Sequence, residues 1–200
     1  MDAGVVYVAY GTKARIEAKA SIASLRKRNN WPVLVIGDEP IPGVDHRIFE
    51  DRGTPGRWAK VNLDKLSPWE YTLFLDADTR IHGDLSIGFR LLSVGYDLVM
   101  VPSRAQRNDG LKHLLPDERR RTLSELPADP LQLNTGVMWF GPGAGPLFAL
   151  WREEWERWKD KDQGALLRAL NRHPVAVALL GQPYNDKRGE VVEHRFGACV

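Results

Sequence analysis

The sequence predicts an α/β protein in which helices flank a mostly parallel central sheet. Short runs of β-branched and aromatic residues alternate along the chain with longer amphipathic runs, a pattern typical of strand–helix units around such a sheet. At 200 residues, with 43% hydrophobic and 27% charged residues, the chain can bury one substantial core. We therefore expect residues 1–200 to form a single domain.

The same alternation assigns the individual elements. Strands are expected at residues 5–10, 33–36, 47–49, 71–75, 97–101, 136–140 and 175–179. Helices are expected at residues 14–27, 57–66, 86–93, 146–159 and 163–170, and the pattern allows a further short helix around 116–126. In the helix at 146–159, Trp151, Trp155 and Trp158 recur at helical spacing, which predicts a core-facing stripe, with a substrate platform as the alternative.

The composition of this chain is unlike that of membrane proteins and secreted proteins. No run of about 18 apolar residues is present, and Asp2 is unlike the basic start of a signal peptide, so we expect no membrane insertion. The single cysteine, Cys199, cannot form an internal disulfide and fits a reducing compartment, which predicts a cytoplasmic protein. The net charge of +2 is too small to identify a partner.

Two carboxylates at the end of the strand at 71–75 form the strongest local signal. Asp76 and Asp78 follow a run of apolar residues, and acidic groups held against a low-dielectric core are costly unless a cation compensates. Positions i and i+2 of an extended segment project to the same side, so both carboxylates can reach one hard cation. The pair therefore predicts a metal site, with an Asp-rich turn as the alternative.

Three further signals accompany this pair. The strand at 5–10 ends at Gly11, at the edge where open α/β sheets bind ligands, but no dinucleotide or P-loop pattern follows it. Asn134 and Gly136 open the apolar strand at 136–140, where an ordinary turn is the alternative. His194, in an expected late strand, can supply a third metal ligand, and mixed oxygen and imidazole ligation favours Mn²⁺ over Ca²⁺, with Mg²⁺ a second candidate.

Six motifs, taken in order, resemble the retaining glycosyltransferases of the GT-A (nucleotide-diphospho-sugar transferase) fold. This family, glycosyltransferase family 8, is typified by glycogenin and the bacterial lipopolysaccharide galactosyltransferases. The motifs are Val-Tyr-Val-Ala-Tyr-Gly at 6–11, Trp-Ala-Lys-Val at 58–61, Leu-Phe-Leu-Asp-Ala-Asp-Thr at 73–79 with Gly-Asp-Leu at 83–85, Asn-Thr-Gly-Val at 134–137, Asp-Gln-Gly at 162–164 and His-Arg-Phe-Gly at 194–197.

The resemblance implies a role for each matched residue in binding a nucleotide-sugar donor, with a uridine-diphosphate sugar the expected one. The implied roles are the base and ribose border for Ala9, Tyr10 and Gly11, a donor contact for Lys60, Mn²⁺ ligation for Asp76, Asp78 and His194, and the donor-sugar face for Asn134 and Gly136. Asp162 and Gln163 would act on the sugar and beside its anomeric carbon, with an ordinary helix start as the alternative for these two.

The chain also departs from the family. Val200 stands where the family has a lysine, so Arg57, Lys60 or Arg195 would have to supply the missing positive charge on the diphosphate. The chain is short for the family, so the resemblance informs the donor half only. A sugar-activating nucleotidyltransferase, or a binding module without catalysis, are the alternative functions.

The sequence gives the least information about the acceptor and where it binds. Residues 102–133 are long, polar and cationic, and no donor motif falls within them, so we expect the acceptor there. A sugar, a protein or a nucleic acid, including a hydroxylated base in modified DNA, fits a hydroxyl acceptor. The run Arg119-Arg120-Arg121 could contact phosphates, or could form a solvated helix face.

Overall fold

The fold is built on a seven-stranded sheet with the strand order β3-β2-β1-β4-β7-β6-β8. The structure is a computed structural model that describes residues 1–49, 55–105, 111–126 and 131–197. The strands are β1 (Ala3–Ala9), β2 (Val33–Gly37), β3 (Asp45–Arg47), β4 (Tyr71–Leu75), β5 (Thr79–Ile81), β6 (Leu98–Pro102), β7 (Leu133–Phe140), β8 (Val177–Leu179) and β9 (Val192–His194). The pairs β1–β2, β1–β4, β2–β3 and β6–β8 are parallel, which confirms the predicted mostly parallel sheet.

Helices cover both faces of this sheet. They are α1 (Gly11–Leu25), α2 (Pro55–Lys60), α3 (Leu63–Leu66), α4 (Ser86–Ser93), α5 (Pro116–Glu125), α6 (Gly145–Trp158) and α7 (Asp162–Arg172), with 3₁₀ turns at Pro142–Ala144 and Gln182–Tyr184. Because side chains alternate along a strand, Val5 and Tyr7 of β1 pack with α1 and α4, whereas Val6 packs with α2, α3, α6 and α7 on the other face.

Two strand pairings assemble the site. Strand β7 runs antiparallel to β4, with Leu75 opposite Val137, and the Asp76 backbone N–H donates to the Gly136 carbonyl at 2.8 Å. Strands β5 and β9 form a separate antiparallel ribbon in which Thr79 lies opposite His194. The beginning of β7 and the end of β9 therefore both lie beside the acidic turn that follows β4.

Most predicted elements are present, with shifted ends. Strand β3 begins and ends two residues before the expected 47–49, and β7 begins at Leu133 instead of residue 136. The expected helix at 57–66 is two helices, because the Asn62 side chain donates to the Trp58 carbonyl at 2.8 Å and interrupts the backbone pattern. Helix α5 confirms the short helix that the pattern allowed around 116–126.

The tryptophan stripe of α6 packs in the core, as predicted. Trp151 and Trp155 are 0% and 2% exposed, and Trp158 is half-buried. Among the described residues, no helix combines the length and the apolar character needed to cross a membrane. Organisation as one domain over residues 1–200 stays a prediction.

Candidate metal and sugar site

Two carboxylates and an imidazole converge at the end of β4. Nε2 of His194 lies 3.2 Å from Oδ1 of Asp78 and 3.6 Å from Oδ2 of Asp76. One ligand atom from each of the three residues lies within 4.8 Å of the other two. His194 is buried, whereas Asp76 and Asp78 are half-buried and open to a cavity. The structure therefore brings together the three residues predicted to bind metal.

The chemistry of this group fits a divalent cation. Nδ1 of His194 lies 2.7 Å from Oδ1 of Asn185, and because an amide oxygen can only accept, Nδ1 carries the hydrogen. In the neutral ring, Nε2 then directs a lone pair at two carboxylates, and three such electron-pair donors converge favourably only around a positive charge, which is either a proton on Nε2 or a divalent cation. Gly136 leaves the necessary space, since a Cβ there would lie 2.2 Å from His194 Cε1 and 2.8 Å from Asp76 Oδ2.

Asp78 is held by groups on both sides of the turn. Burial alone would raise the pKa of its carboxyl, but without a metal the hydrogen bond and charge of a protonated His194, with the Gly197 backbone N–H, lower that pKa to about 2. The Asp78 carbonyl also accepts from the Arg195 N–H at 3.0 Å. These contacts keep Asp78 ionised and fix its direction.

Lys60 joins the acidic turn to the predicted sugar-binding carboxylate. Its Nζ lies 3.0 Å from Oδ1 of Asp76 and 3.3 Å from Oδ2 of Asp162, while Lys60 is only 7% exposed. Burial would lower the pKa of this amine, yet the charges of Asp162 and Asp76 raise it, so Lys60 keeps its proton. Lys60 is therefore a buried cation shared by two carboxylates.

Asp162 is the first residue of α7, and its carboxylate is not used as a helix cap. Burial would raise the pKa of Asp162, but the charge of Lys60 and the hydrogen bond that Thr135 donates at 2.6 Å lower it. The indole Nε1–H of Trp151 donates to the Asp162 carbonyl at 2.8 Å. The N-cap position is Lys161, one residue earlier, so the helix start that was the alternative for Asp162 and Gln163 is present, with Asp162 in its first turn and without a side-chain cap.

One cavity of about 720 Å³ joins these groups. Of the predicted site residues, it is lined by Lys60, Asp76, Asp78, Asn134, Asp162, Gln163 and His194. The cavity is also lined by Lys112 and Lys161, which belong to none of the motifs. Arg57, one of the candidates for the missing positive charge, lines it as well. Oδ1 of Asn134 accepts a hydrogen bond from the Gly136 N–H at 2.9 Å. This bond fixes which end of the Asn134 amide is the oxygen and which end is the donating nitrogen.

Of the expected base and ribose residues, Tyr10 lines a smaller cavity of about 320 Å³, together with Ala14, Ala77 and Asp78 among others, whereas Ala9 and Gly11 do not line it. Gly11 has a φ of +80°, and its N–H donates to the Asp38 carboxylate at 3.0 Å. The Ala9 side chain is fully buried in the core and can border a ligand only through its neighbours.

The arginine run lies on α5. Arg120 pairs with Asp117 at 3.2 Å, and Arg121 pairs with Glu125 at 2.6 Å, all within the helix and largely exposed. These contacts favour the solvated helix face that was the alternative to phosphate binding. Arg119 and Arg120 nevertheless line a cavity of about 470 Å³ that shares Lys112 with the larger one.

Sequence reasoning missed the residues that support the site. Asn185 holds His194 and Thr135 holds Asp162, yet neither carries a motif role; the only signal for Thr135 was its place between Asn134 and Gly136. Val200, and with it the expected loss of a family lysine, lies outside the described residues, as does Cys199.

Comparison with solved structures identifies the architecture. Mouse xyloside xylosyltransferase 1 matches with a TM-score of 0.64 at 10% identity, covering 100% of this chain and 99% of that one. The galactosyltransferase LgtC, in complex with donor and acceptor sugar analogues, gives 0.64 at 12% identity, covering 98% and 87%. The bifunctional glycosyltransferase WbbM gives 0.65 at 16% identity, covering 91% of this chain but 39% of WbbM.

No protein-family model matches the chain, and no curated protein matches it in sequence. At these low identities the structural likeness shows the fold alone. That fold is the α/β fold of GT-A type that the sequence predicted.

Proposed function

We propose that the protein is a metal-dependent retaining glycosyltransferase that moves a sugar from a nucleotide-diphosphate sugar to a hydroxyl acceptor. The observation that carries the proposal is the cavity in which the cluster Asp76, Asp78 and His194 lies beside the pair Lys60 and Asp162, within a fold shared with glycosyltransferases. The motif resemblance to glycosyltransferase family 8 supports the same assignment.

The cluster of two carboxylates and one imidazole would hold the cation. Manganese is the proposed ion, with Mg²⁺ as the alternative, because mixed oxygen and nitrogen ligation suits Mn²⁺. A divalent cation bound there supplies Lewis-acid stabilisation of the charge that develops on a departing diphosphate. The proposed donor is a uridine-diphosphate sugar, whose nucleoside end would lie towards Tyr10 and Gly11, at the smaller cavity.

The remaining side chains would orient the sugar. Asp162 is ionised and fixed by Thr135 and Lys60, so it can accept hydrogen bonds from sugar hydroxyls in one direction. Asn134, with its oxygen engaged by Gly136, would donate from its amide nitrogen. Gln163 lines the cavity from the first turn of α7, next to Asp162, where its amide oxygen can face a developing oxocarbenium ion.

Attack from the front face best accounts for the proposed retention of configuration. Glutamine is a poor nucleophile, which argues against a covalent glycosyl enzyme. In the front-face reaction, the bond from the anomeric carbon to the phosphate oxygen breaks and the acceptor oxygen bonds to the same face. The departing phosphate takes the acceptor proton.

The acceptor and the setting of the reaction are further parts of this proposal. Lys112 and His113, which belong to the segment at 102–133, line the main cavity, and this supports that segment as the acceptor side. A sugar, a protein or modified DNA remains the proposed acceptor range, and the cytoplasm the proposed location.

The direct test is release of UDP from a panel of UDP-sugars in the presence of Mn²⁺. We expect turnover by the wild-type chain, loss of turnover with excess chelator, and loss in Asp76→Asn and Asp78→Asn. Asp45→Asn, a change of an exposed carboxylate on the edge strand β3, is the matched control and should remain active. Full activity of either site variant would remove the metal from the mechanism.

The same incubation separates the alternative functions. A sugar-activating nucleotidyltransferase would yield no UDP, but on addition of pyrophosphate it would convert the UDP-sugar into UTP and a sugar 1-phosphate, whereas a binding module would bind the donor and release nothing. Nuclear magnetic resonance of the product should show the donor's anomeric configuration, and an inverted linkage would contradict the front-face mechanism.

The sugar-orienting role makes a distinct kinetic prediction. Asp162→Asn and Gln163→Ala should lower kcat much more than they weaken binding of the nucleotide, because both residues are assigned to the sugar. Binding of UDP by calorimetry, compared with turnover, measures the difference. A loss confined to nucleotide affinity would assign both residues to the nucleotide instead.

A further inference from the structure

The imidazole of His194 is held at one edge by a buried asparagine. Asn185 is 2% exposed, follows the 3₁₀ turn at Gln182–Tyr184, and lies with its Oδ1 2.7 Å from Nδ1 of His194. This hydrogen bond requires the tautomer that carries its hydrogen on Nδ1. The other nitrogen, Nε2, is then the one available to a metal.

The ring is also held on its face and through its backbone. Phe196 stacks on His194 with ring centroids 4.1 Å apart and planes inclined by 21°. The backbone N–H of His194 donates to the Asp186 carbonyl at 2.8 Å, next to Asn185. Asp186 in turn forms an ion pair with Arg104, which follows β6.

Only the oxygen of the Asn185 amide is used. Within the described part of the chain, its Nδ2 is buried and has no hydrogen-bond partner. An asparagine buried for structural reasons normally engages both ends of its amide, because an unpaired buried polar group costs about 1–3 kcal/mol. The geometry therefore indicates that Asn185 is buried here because Nδ1 of His194 needs a hydrogen-bond acceptor.

We propose that Asn185 is a positioning residue that selects the His194 tautomer and directs its Nε2 at the cation held with Asp76 and Asp78. This inference rests on the metal site of the proposed function. A hydrogen-bond acceptor behind a metal-bound histidine fixes the ring and raises its basicity, and losing such a partner typically weakens metal binding by about 10- to 100-fold.

Two substitutions separate positioning from packing. Asn185→Leu keeps the volume but removes the acceptor, so Mn²⁺ affinity should fall by about 10- to 100-fold. Asn185→Asp keeps an acceptor at the same place and dispenses with the unpaired amide nitrogen, so its Mn²⁺ affinity should equal or exceed that of the wild type. Titration of Mn²⁺ followed by electron paramagnetic resonance, without donor, measures both.

The matched control is Asn29→Leu. Asn29 is a buried asparagine that bonds the Gly83 carbonyl and the Leu85 N–H, away from the metal cluster. This change should lower the melting temperature and leave the Mn²⁺ affinity unchanged. Equal weakening of metal binding in Asn185→Leu and Asn29→Leu would assign the effect to stability and overturn the proposal.

A second measurement does not depend on the metal or on activity. In the metal-free protein, at a pH high enough for the spectra themselves to show a neutral ring, ¹H–¹⁵N correlation spectra should show the hydrogen of His194 on Nδ1 in the wild type and in Asn185→Asp. In Asn185→Leu the hydrogen should move to Nε2, which lies 3.2 Å from the Asp78 carboxylate. The same single tautomer in Asn185→Leu would overturn the role of Asn185, whereas a wild type with this tautomer but no Mn²⁺ binding would overturn the proposed function instead.

Discussion

Substitution of Gly136 by alanine tests the geometry of the proposed metal site most directly. A Cβ at this position would lie 2.2 Å from Cε1 and 2.7 Å from Nδ1 of His194, and 2.8 Å from Oδ2 of Asp76. Carbon atoms do not approach this closely, so the backbone of β7 or one of the two ligands must move. His194 cannot swing away freely, because Asn185 and Phe196 hold its edge and its face.

The expected magnitude follows from the cost of overpacking. Inserting a methyl group into a tightly packed site costs about 1–3 kcal/mol. If the displacement falls on the ligands, that cost appears in the binding of the cation, and it corresponds to about a 5- to 140-fold loss of Mn²⁺ affinity. The alanine should therefore weaken Mn²⁺ binding and UDP release together.

The assay is Mn²⁺ titration of Gly136→Ala beside Gly145→Ala. Gly145 begins α6, and nothing lies within 4 Å of a Cβ built on it, so alanine there should be neutral or slightly stabilising. Thermal denaturation of both variants shows whether the fold is kept. Wild-type Mn²⁺ affinity in Gly136→Ala would refute the reasoning, because the added carbon would then have been accommodated without disturbing the ligands.

Three further predictions concern the surroundings of this site. Thr135→Val removes the hydroxyl that donates to Asp162, and should lower kcat by about 10- to 140-fold at unchanged UDP affinity, since a hydrogen bond to a charged group is worth about 1.5–3 kcal/mol; an unchanged kcat would contradict it. Arg168→Met leaves Glu118 buried without its 3.0 Å partner, and should lower the free energy of unfolding in urea by about 3–5 kcal/mol, with exposed Arg90→Met as a neutral control. If the acceptor is a nucleic acid, replacing the run Arg119–Arg121 by glutamines should slow transfer and reduce its salt dependence while sparing donor hydrolysis, whereas equal loss of both activities would assign the run to folding.

Local sequence patterns were sufficient for the ligand-bearing strand. The apolar run at 71–75 forms β4, and Asp76 and Asp78 converge as predicted. They do so from a turn closed by the bond from the Thr79 N–H to the Asp76 carbonyl, so the i, i+2 rule for extended segments does not account for their convergence. The third ligand needed more than a local pattern. His194 reaches the cluster because β9 pairs with β5, a three-residue strand that the sequence did not predict, and so short a strand has no periodicity of its own.

The residues that hold the site in place could not be predicted from local sequence patterns, for a different reason. Asn185 and His194 are nine residues apart, and they meet only because the chain turns back between them. Trp151 was predicted as a core residue and is one, yet its indole N–H also fixes the first turn of α7 at Asp162. A hydrophobic pattern predicts where the ring is buried, but it carries no information about the partner of its one polar atom.

Lys60 shows how the two halves of the site depend on each other. The motif implied a donor contact for this lysine, but the structure places its Nζ between Asp76 and Asp162, at 3.0 and 3.3 Å. A buried ammonium with two carboxylate partners stabilises both, so removing either carboxylate changes the field at the other. Substitutions at Asp76 and Asp162 should therefore combine non-additively, because the two residues share one cation. The half of the cavity proposed to bind metal and the half proposed to bind sugar therefore form a single electrostatic unit through Lys60.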